Sequence, residues 1–427
     1  MDLFVRFRKD YFNYLISVIL PALISGISIP LLKHLLGATG YGFFSIWFNA
    51  ILILTAILTG WITQSIILFY PSSDNKQFFS NEAFRLSMRT QIIFFLPVLV
   101  VIWYLRQDIL FAFLCSMVLL VTAIQFCILP IIQSNFQSRK IIFSEFIRVV
   151  TYVGCAILLV KISRFSYLYA LFIAVIISYS LSLFYLRVQA RKFFTSDLTA
   201  GNEKSTTKHL FKKFFKYGAP LSLWFVFACL LSYVDKLFML RQFGGEIQGN
   251  YQAIFDLISK SLILIISPIG TSLFPILTSA YTKGNRIEIR MLLKKLIIYE
   301  LSGFFLVSIC YWLFGADLLF FILKIPHTAS SKLMGFIIIC GSFLWQIAIL
   351  VQKRFELKLK SLYMLAMITI AFFVQIIFYL VFKNKNNPLL YPLGFLLSAF
   401  VYLFLISASE LSSIFKSYKF KSKSLPV

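Results

Sequence analysis

Apolar runs of roughly 20 residues recur along the chain, and none shows the period-two alternation of a half-buried strand. In lipid, every backbone polar group must find its partner within the protein, so such runs can span a membrane only as helices. They fall near residues 11–31, 43–69, 92–105, 109–132, 146–162, 165–186, 217–240, 252–281, 296–314, 332–352, 361–382 and 389–408. A water-soluble domain could not hide a chain that is 60% hydrophobic and 13% charged. The expected fold class is an all-α integral membrane protein with about 12 transmembrane helices.

The net charge of +25 would suit a nucleic-acid partner, but its distribution argues against one. With the N-terminus in the cytoplasm, roughly thirty of the 41 Lys and Arg fall in cytoplasmic loops and tails, and about nine fall on the other side. That is the positive-inside pattern, so membrane topology accounts for most of the charge. Both termini are expected in the cytoplasm.

The six Cys lie within expected spans and form no CxxC pair, so they read as small hydrophobic residues. His34, His209 and His327 are scattered, and neither metal nor cofactor is expected. The first apolar run resembles a signal peptide but is too long, contains Pro21 and Pro30, and lacks a small-residue cleavage site. A retained first helix is expected.

The longest hydrophilic stretch, Arg187 to Lys216, divides the chain into two halves of six spans. The expected division is 1–190 for an N-terminal six-helix bundle, 191–216 for a basic cytoplasmic linker, 217–409 for a C-terminal bundle and 410–427 for a basic tail. Six spans per half would orient both halves alike, as in a parallel repeat. A faint repeat supports this: LGATGYGFFSIW follows the first run and GGEIQGNYQAIF follows the seventh. Each gives Gly, a short polar gap, then Gly and Tyr, which suits a tight turn at the membrane surface. Prolines within spans are frequent, and Pro268 with Pro275 suggests a bent eighth helix.

Four charges interrupt the apolar pattern: Asp235, Lys236, Asp256 and Lys260. At 1.5 Å per residue, Asp235 lies about 7–8 Å from the outer end of its span, Asp256 about 6 Å and Lys260 about 12 Å. All four can share the outer part of the membrane, with Lys260 the deeper lysine. Gating or ion coupling, structural pairing, and snorkelling to the headgroups all remain open for them. Asn49, Gln64, Gln125 and Gln346 are candidate substrate-lining residues, though such groups more often link helices, at about 0.6 kcal/mol each. Glu300 is expected to pair with the basic run Arg290, Lys294 and Lys295. No phosphate loop, HExxH or GxSxG motif is present, so the residues suggest no enzyme.

PLLKHLLGATGYGFFSIW, ILPIIQSNFQSRK, YGAPLSLWFVFACLLSYVDKLFMLRQFGGEIQGNYQAIFDL and SPIGTSLFPILTSAYTKGN resemble, in order and spacing, the bacterial polysaccharide repeat-unit flippases. These are the Wzx-type O-antigen and capsule transporters of the multidrug/oligosaccharidyl-lipid/polysaccharide exporter superfamily. The resemblance implies two pseudo-symmetric, MATE-like six-helix bundles around a central cavity. It implies undecaprenyl-pyrophosphate-linked oligosaccharide as cargo, moved from the cytoplasmic to the periplasmic leaflet of the inner membrane by alternating access. It also implies coupling to H+ or Na+, contact with membrane lipids, and a polysaccharide polymerase and chain-length regulator as partners. The family's lumen is usually cationic, often through Arg. Here helix one has no base before Lys33, and the clear intramembrane bases are Lys236 and Lys260. A cation-coupled multidrug exporter of the same superfamily and a membrane polysaccharide polymerase or ligase are the alternatives. The short outer loops speak against the latter.

Overall fold

The computed structural model describes the backbone of residues 3–70, 73, 75–135, 137–162, 166–194, 203–282, 286–358 and 360–422. Within these, side chains are described from Gly26 to Ala408, apart from 138, 192, 203–210, 213, 263–276, 278–282 and 286–288. Every long element among the described residues is a helix. In order they are α1 (Leu3–Phe69), α2 (Lys76–Arg106), α3 (Ile109–Ser134), α4 (Ser138–Ile162), α5 (Tyr167–Ala190) and α6 (Glu203–Leu231). Then follow α7 (Val234–Thr282), α8 (Arg286–Cys310), α9 (Ala316–Leu323), α10 (Ala329–Leu357), α11 (Ser361–Phe382) and α12 (Leu390–Ser422). A π-helical turn, Tyr311–Gly315, joins α8 to α9.

Two helices are too long for one straight crossing. The 67 residues of α1 would reach about 100 Å, against a hydrocarbon core of about 30 Å. Each is broken at a glycine: Gly37 at φ 70°, ψ 171° in α1, and Gly244 at φ 79°, ψ 178° in α7. That backbone region is open essentially to glycine alone. Ten stretches are long and apolar enough to cross a membrane. Two of them, Gly26–Phe69 and Phe214–Leu262, run to 44 and 49 residues and contain these breaks. The twelve spans expected from the sequence divide the same two stretches near the same glycines. In α7 the non-helical backbone is at Gly244. The side chains of Pro268 and Pro275, where a bend was expected, lie outside the described set.

The chain forms two compact units. One comprises Ile16–Tyr233 with Phe243–Ala253; the other takes in Val234–Gln242 and the chain from Ile254 onward. The expected boundary at the 191–216 linker differs from this partition, because α6 packs with the first unit. The reason is a close crossing of small residues. An added Cβ on Gly218 would lie 2.0 Å from the Trp61 carbonyl oxygen, and one on Gly60 would lie 2.6 Å from Ser222 Oγ. Ser222 donates to the Ala56 carbonyl at 2.7 Å, and Ser65 donates to the Phe214 carbonyl at 3.0 Å. Lipid gives helices no hydrophobic reason to associate, so close backbone approach and hydrogen bonds supply it.

In the first unit α3 packs against α2 and α5, and α4 packs against α5. α3 buries 56% of its most apolar stretch, whereas α2 and α4 bury only 17% and present aliphatic side chains outward. In the second unit α10 is the central helix, 67% buried, against α8 and α12. Its ties are polar as well as apolar: Tyr402 donates to Gln352 Oε1 at 2.6 Å and stacks on Trp345.

Candidate functional site: charges at the helix breaks

Asp235 and Lys236 open a helix rather than interrupt one. α6 ends at Leu231, and a tight turn follows, in which Tyr233 N–H donates to the Leu230 carbonyl at 3.1 Å and Ser232 Oγ to the Cys229 carbonyl at 3.1 Å. α7 starts at Val234, so the acid falls in its first turn. The first N–H groups of a helix have no partner within it, and its N-terminus carries partial positive charge. Asp235 Oδ1 accepts from the Lys236 backbone N–H at 2.7 Å. The carboxylate is fully buried, at 0% exposure, yet its placement at a helix start gives it N–H dipoles in place of water.

Lys236 is 3% exposed, and its ammonium lies 4.4 Å from the centroid of the Phe255 ring. A desolvated cation over an aromatic face gains about 2 kcal/mol. The break at Gly244 folds α7 back so that residue 236 meets residue 255, next to Asp256. Asp256 is half-buried and Lys260 is exposed. Of the two lysines, Lys236 is the one covered within the protein, because an aromatic ring closes over it.

Beside this charge pair runs a polar chain that the sequence did not announce. Gln375 Nε2 donates to the Tyr379 hydroxyl at 2.9 Å, which donates to the Tyr391 carbonyl at 2.9 Å. The Tyr391 hydroxyl donates to Gln242 Oε1, and Gln242 Nε2 donates to the Lys383 and Lys385 carbonyls at 3.0 and 3.1 Å. The Phe238 ring, one turn after Asp235, packs against the Tyr379 ring at a centroid distance of 5.4 Å. Gly394 leaves room for the Tyr379 ring, since an added Cβ would fall 2.2 Å from it. Thus α7, α11 and α12 are joined by polar side chains at the end of the second unit that carries Asp235.

The first unit holds its own cluster. Gln125 Nε2 on α3 donates to Glu145 Oε1 on α4 at 2.8 Å. Arg148 donates to Glu145 Oε2 from Nε at 2.9 Å and from Nη2 at 2.5 Å. Its guanidinium stands 5.1 Å from the Tyr179 ring of α5. Ser144 and Ser182 share a hydrogen bond of 2.6 Å beside them. Gln125 is 2% exposed, and its Oε1 has no hydrogen-bond partner among the described residues. The candidate span is Arg139–Ile162, so Arg148 lies about 14 Å inside it. Lys236 and Lys260 are therefore joined by a further intramembrane base, which a span begun at residue 146 had placed at its edge. Its sequence signal was Glu145 and Arg148 at i,i+3 with Tyr152 one turn on, all on one helix face.

The remaining candidates are separate. Asn49 Nδ2 donates to Ser45 Oγ at 3.2 Å within α1. Gln64 and Gln346 are half-buried on α1 and α10. Among the described residues no three His, Cys, Asp or Glu side chains converge to hold a metal ion. Glu300 forms no pair with the basic run at 290–295.

Solved structures share the fold over nearly the whole chain. An outward-facing multidrug resistance MATE family transporter of the MOP superfamily superposes with TM-score 0.69 at 15% identity, covering 96% of this chain and 98% of that one. An inward-facing conformation of such a transporter gives TM-score 0.67 at 12% identity, with 100% of both chains covered. A MOP superfamily transporter from Pyrococcus furiosus, whose binding pocket is described as having reverse polarity, gives 0.65 at 14% identity, with 95% and 97% covered. No curated protein matches the sequence. The profile of the family described as "Polysaccharide biosynthesis protein" matches residues 7–280, about two-thirds of the chain. With the MOP transporter fold and multi-pass membrane character already in place, that match makes this chain a member of the polysaccharide biosynthesis protein family.

Proposed function

We propose that the chain is a flippase for polyprenyl-pyrophosphate-linked oligosaccharide repeat units, carrying them from the cytoplasmic to the periplasmic leaflet of a bacterial inner membrane. Both termini lie in the cytoplasm in this reading, and a polymerase and chain-length regulator act on the delivered units. The observation that carries the proposal is the Gln125–Glu145–Arg148 cluster, within a polysaccharide family match, about 14 Å inside an apolar helix. A sugar head brings many hydroxyls, each costly in hydrocarbon without a partner. It needs amides, carboxylates and aromatic faces at membrane depth, and Gln125 Oε1 is an unused acceptor there. A pyrophosphate needs a cation, and three N–H groups of Arg148 remain beyond the two given to Glu145. Transport of this kind needs two global states rather than a nucleophile. Similarity to both outward- and inward-facing transporters supports alternating access.

Multidrug export is the second reading, favoured by the described specificity of the first of those structural relatives. Proteoliposomes containing lipid-linked oligosaccharide separate the two. The flippase reading requires that the reconstituted protein expose the sugar to an impermeant glycosidase on the opposite face. Movement of a cationic dye without movement of the lipid-linked sugar would establish drug export instead. In cells, deletion should leave lipid-linked units accumulated on the inner leaflet, whereas unpolymerised single units at the surface would indicate a polymerase.

A further inference from the structure

The face of α8 that packs on α10 is an apolar stripe with one acid in it. Leu292, Leu293 and Leu296 pack with Leu350 at one end, and Phe304 meets Phe343 at a centroid distance of 5.3 Å at the other. Glu300 stands between Leu296 and Phe304, at the same angular position on the helix. It is 4% exposed, and neither carboxyl oxygen has a hydrogen-bond partner among the described residues. The level of α10 opposite, between Phe343 and Leu350, offers Gln346 and Ile347 and no charge. The nearest titratable groups on α10 are Cys340, one turn beyond Phe343, and Lys353 and Arg354, one turn beyond Leu350; Lys353 is already paired with Glu356 at 2.8 Å. On α8 itself Arg290, Lys294, Lys295 and Tyr299 point outward and are exposed. Tyr311 in the π turn donates to the Lys332 carbonyl, and α7 contributes Leu277, its one described side chain in this seam.

An isolated carboxylate in such a place would cost many kcal/mol, whereas the acid form is tolerated. Two further features flank this face, one on each side. A Cβ built on Gly303, one turn from Glu300, would meet no atom within 4 Å. Ser308, two turns on, has a buried hydroxyl without a hydrogen-bond partner among the described residues. The buried carboxyl is thus flanked by open space at Gly303 on one side of the stripe and by a hydroxyl at Ser308 on the other.

We infer that Glu300 is a membrane-embedded proton-binding site, protonated while α8 is closed on α10 and able to release its proton only when water reaches that seam. It gives the protein a carrier for one proton inside the second unit, away from the Asp235–Lys236 pair on α7. The inference requires no particular cargo.

The test uses the full chain in liposomes and dicyclohexylcarbodiimide, which attacks protonated carboxyls in apolar surroundings. Mass spectrometry at neutral pH should find the adduct on Glu300 in the wild-type protein. Labelling should decline as pH rises and be absent in Glu300→Gln. Infrared spectra should carry a protonated-carboxyl band that Glu300→Gln removes while the protein keeps its membrane abundance and melting temperature. Glu300→Leu, which completes the apolar stripe, should also insert and melt no lower than wild type. Absence of both the adduct and the band in wild-type protein at neutral and acid pH would overturn the site. So would a large loss of stability in both variants, which would mean that the charged form is needed for packing. Labelling without sugar transport would keep the site and count against the flippase reading alone.

Discussion

A methyl group at Gly249 would fall 1.8 Å from the carbonyl oxygen of Ala38, so the segment after one helix break lies directly on the segment after the other. The crossing is reciprocal. A Cβ on Gly42 would fall 3.0 Å from Gly249 Cα and 2.0 Å from Gln248 Oε1. Gly37 and Gly244, the two break residues, are separated in sequence by the same interval as Gly42 and Gly249. Gly249→Val should therefore abolish accumulation of folded protein, since backbone, not a flexible side chain, occupies the space. Gly37→Ala or Gly244→Ala has open space around it and suffers only backbone strain, about 1–3 kcal/mol. Membrane abundance and thermal unfolding in detergent check both: equal losses at Gly249 and Gly37 would contradict the close crossing.

Lys236→Ala should impair transport more than Lys260→Ala, because Lys236 is covered by Phe255 and Lys260 is exposed. Asp235→Asn keeps an acceptor for the Lys236 N–H and should insert normally while losing the charge. Transport measured at equal abundance should fall by about tenfold or more, the effect of 1.4 kcal/mol at a buried charge. Wild-type rates in both Asp235→Asn and Lys236→Ala would reduce the pair to a structural device.

Much of this is legible in the sequence. The Gly–polar–Gly–Tyr segments marked both breaks because only glycine enters that backbone region. The break within the seventh span was not legible, for Leu231, Ser232 and Tyr233 contain neither Gly nor Pro. Arg148 hid because Arg139, Lys140 and Glu145 dilute the apolar run, although α4 buries its polar face against α3 and α5. Glu300 looked ready to pair with Lys295, but residues five apart on a helix diverge by about 140°. Lys295 faces outward and Glu300 faces α10.

Asp108 makes the unfolding temperature depend on acid pH. It caps α3 by accepting from the Phe111 N–H at 3.0 Å, and it also accepts from the Tyr169 hydroxyl. The backbone N–H of Phe111, and then the Tyr169 hydroxyl, hold its carboxyl below the ordinary aspartate value of 3.8. A depressed folded-state value favours the ionised form on folding. The cap's contribution is thus fully present above 3.8 and is lost as pH falls through the lower folded value. Asp108→Asn should retain the cap and flatten this acid limb. Asp108→Ala should cost about 0.5–2 kcal/mol at neutral pH. Melting curves across the acid range decide the matter: an unchanged limb in Asp108→Asn would assign it to another group.

The strongest functional expectation concerns Arg148. Its partner Glu145 is held from the other side by Gln125, so the guanidinium is aimed by a fixed carboxylate and backed by the Tyr179 ring. Arg148→Lys keeps the charge but loses the planar fork that can serve Glu145 and an anion at once. Arg148→Gln removes the charge and leaves Glu145 with its hydrogen bond from Gln125. If the cargo's pyrophosphate meets Arg148, a charge-assisted hydrogen bond of about 1.5–3 kcal/mol is lost, so flipping should fall by about 10- to 100-fold. Glu145→Gln frees the guanidinium and should raise affinity for the lipid pyrophosphate while slowing release. Tyr179→Phe keeps the ring beneath Arg148 and should leave transport close to wild type. Binding of a short polyprenyl pyrophosphate to each purified variant, measured beside sugar flipping at matched abundance, separates recognition from folding. Unchanged binding in Arg148→Gln, with the protein intact, would mean that this cluster ties α3, α4 and α5 together and does not touch the cargo.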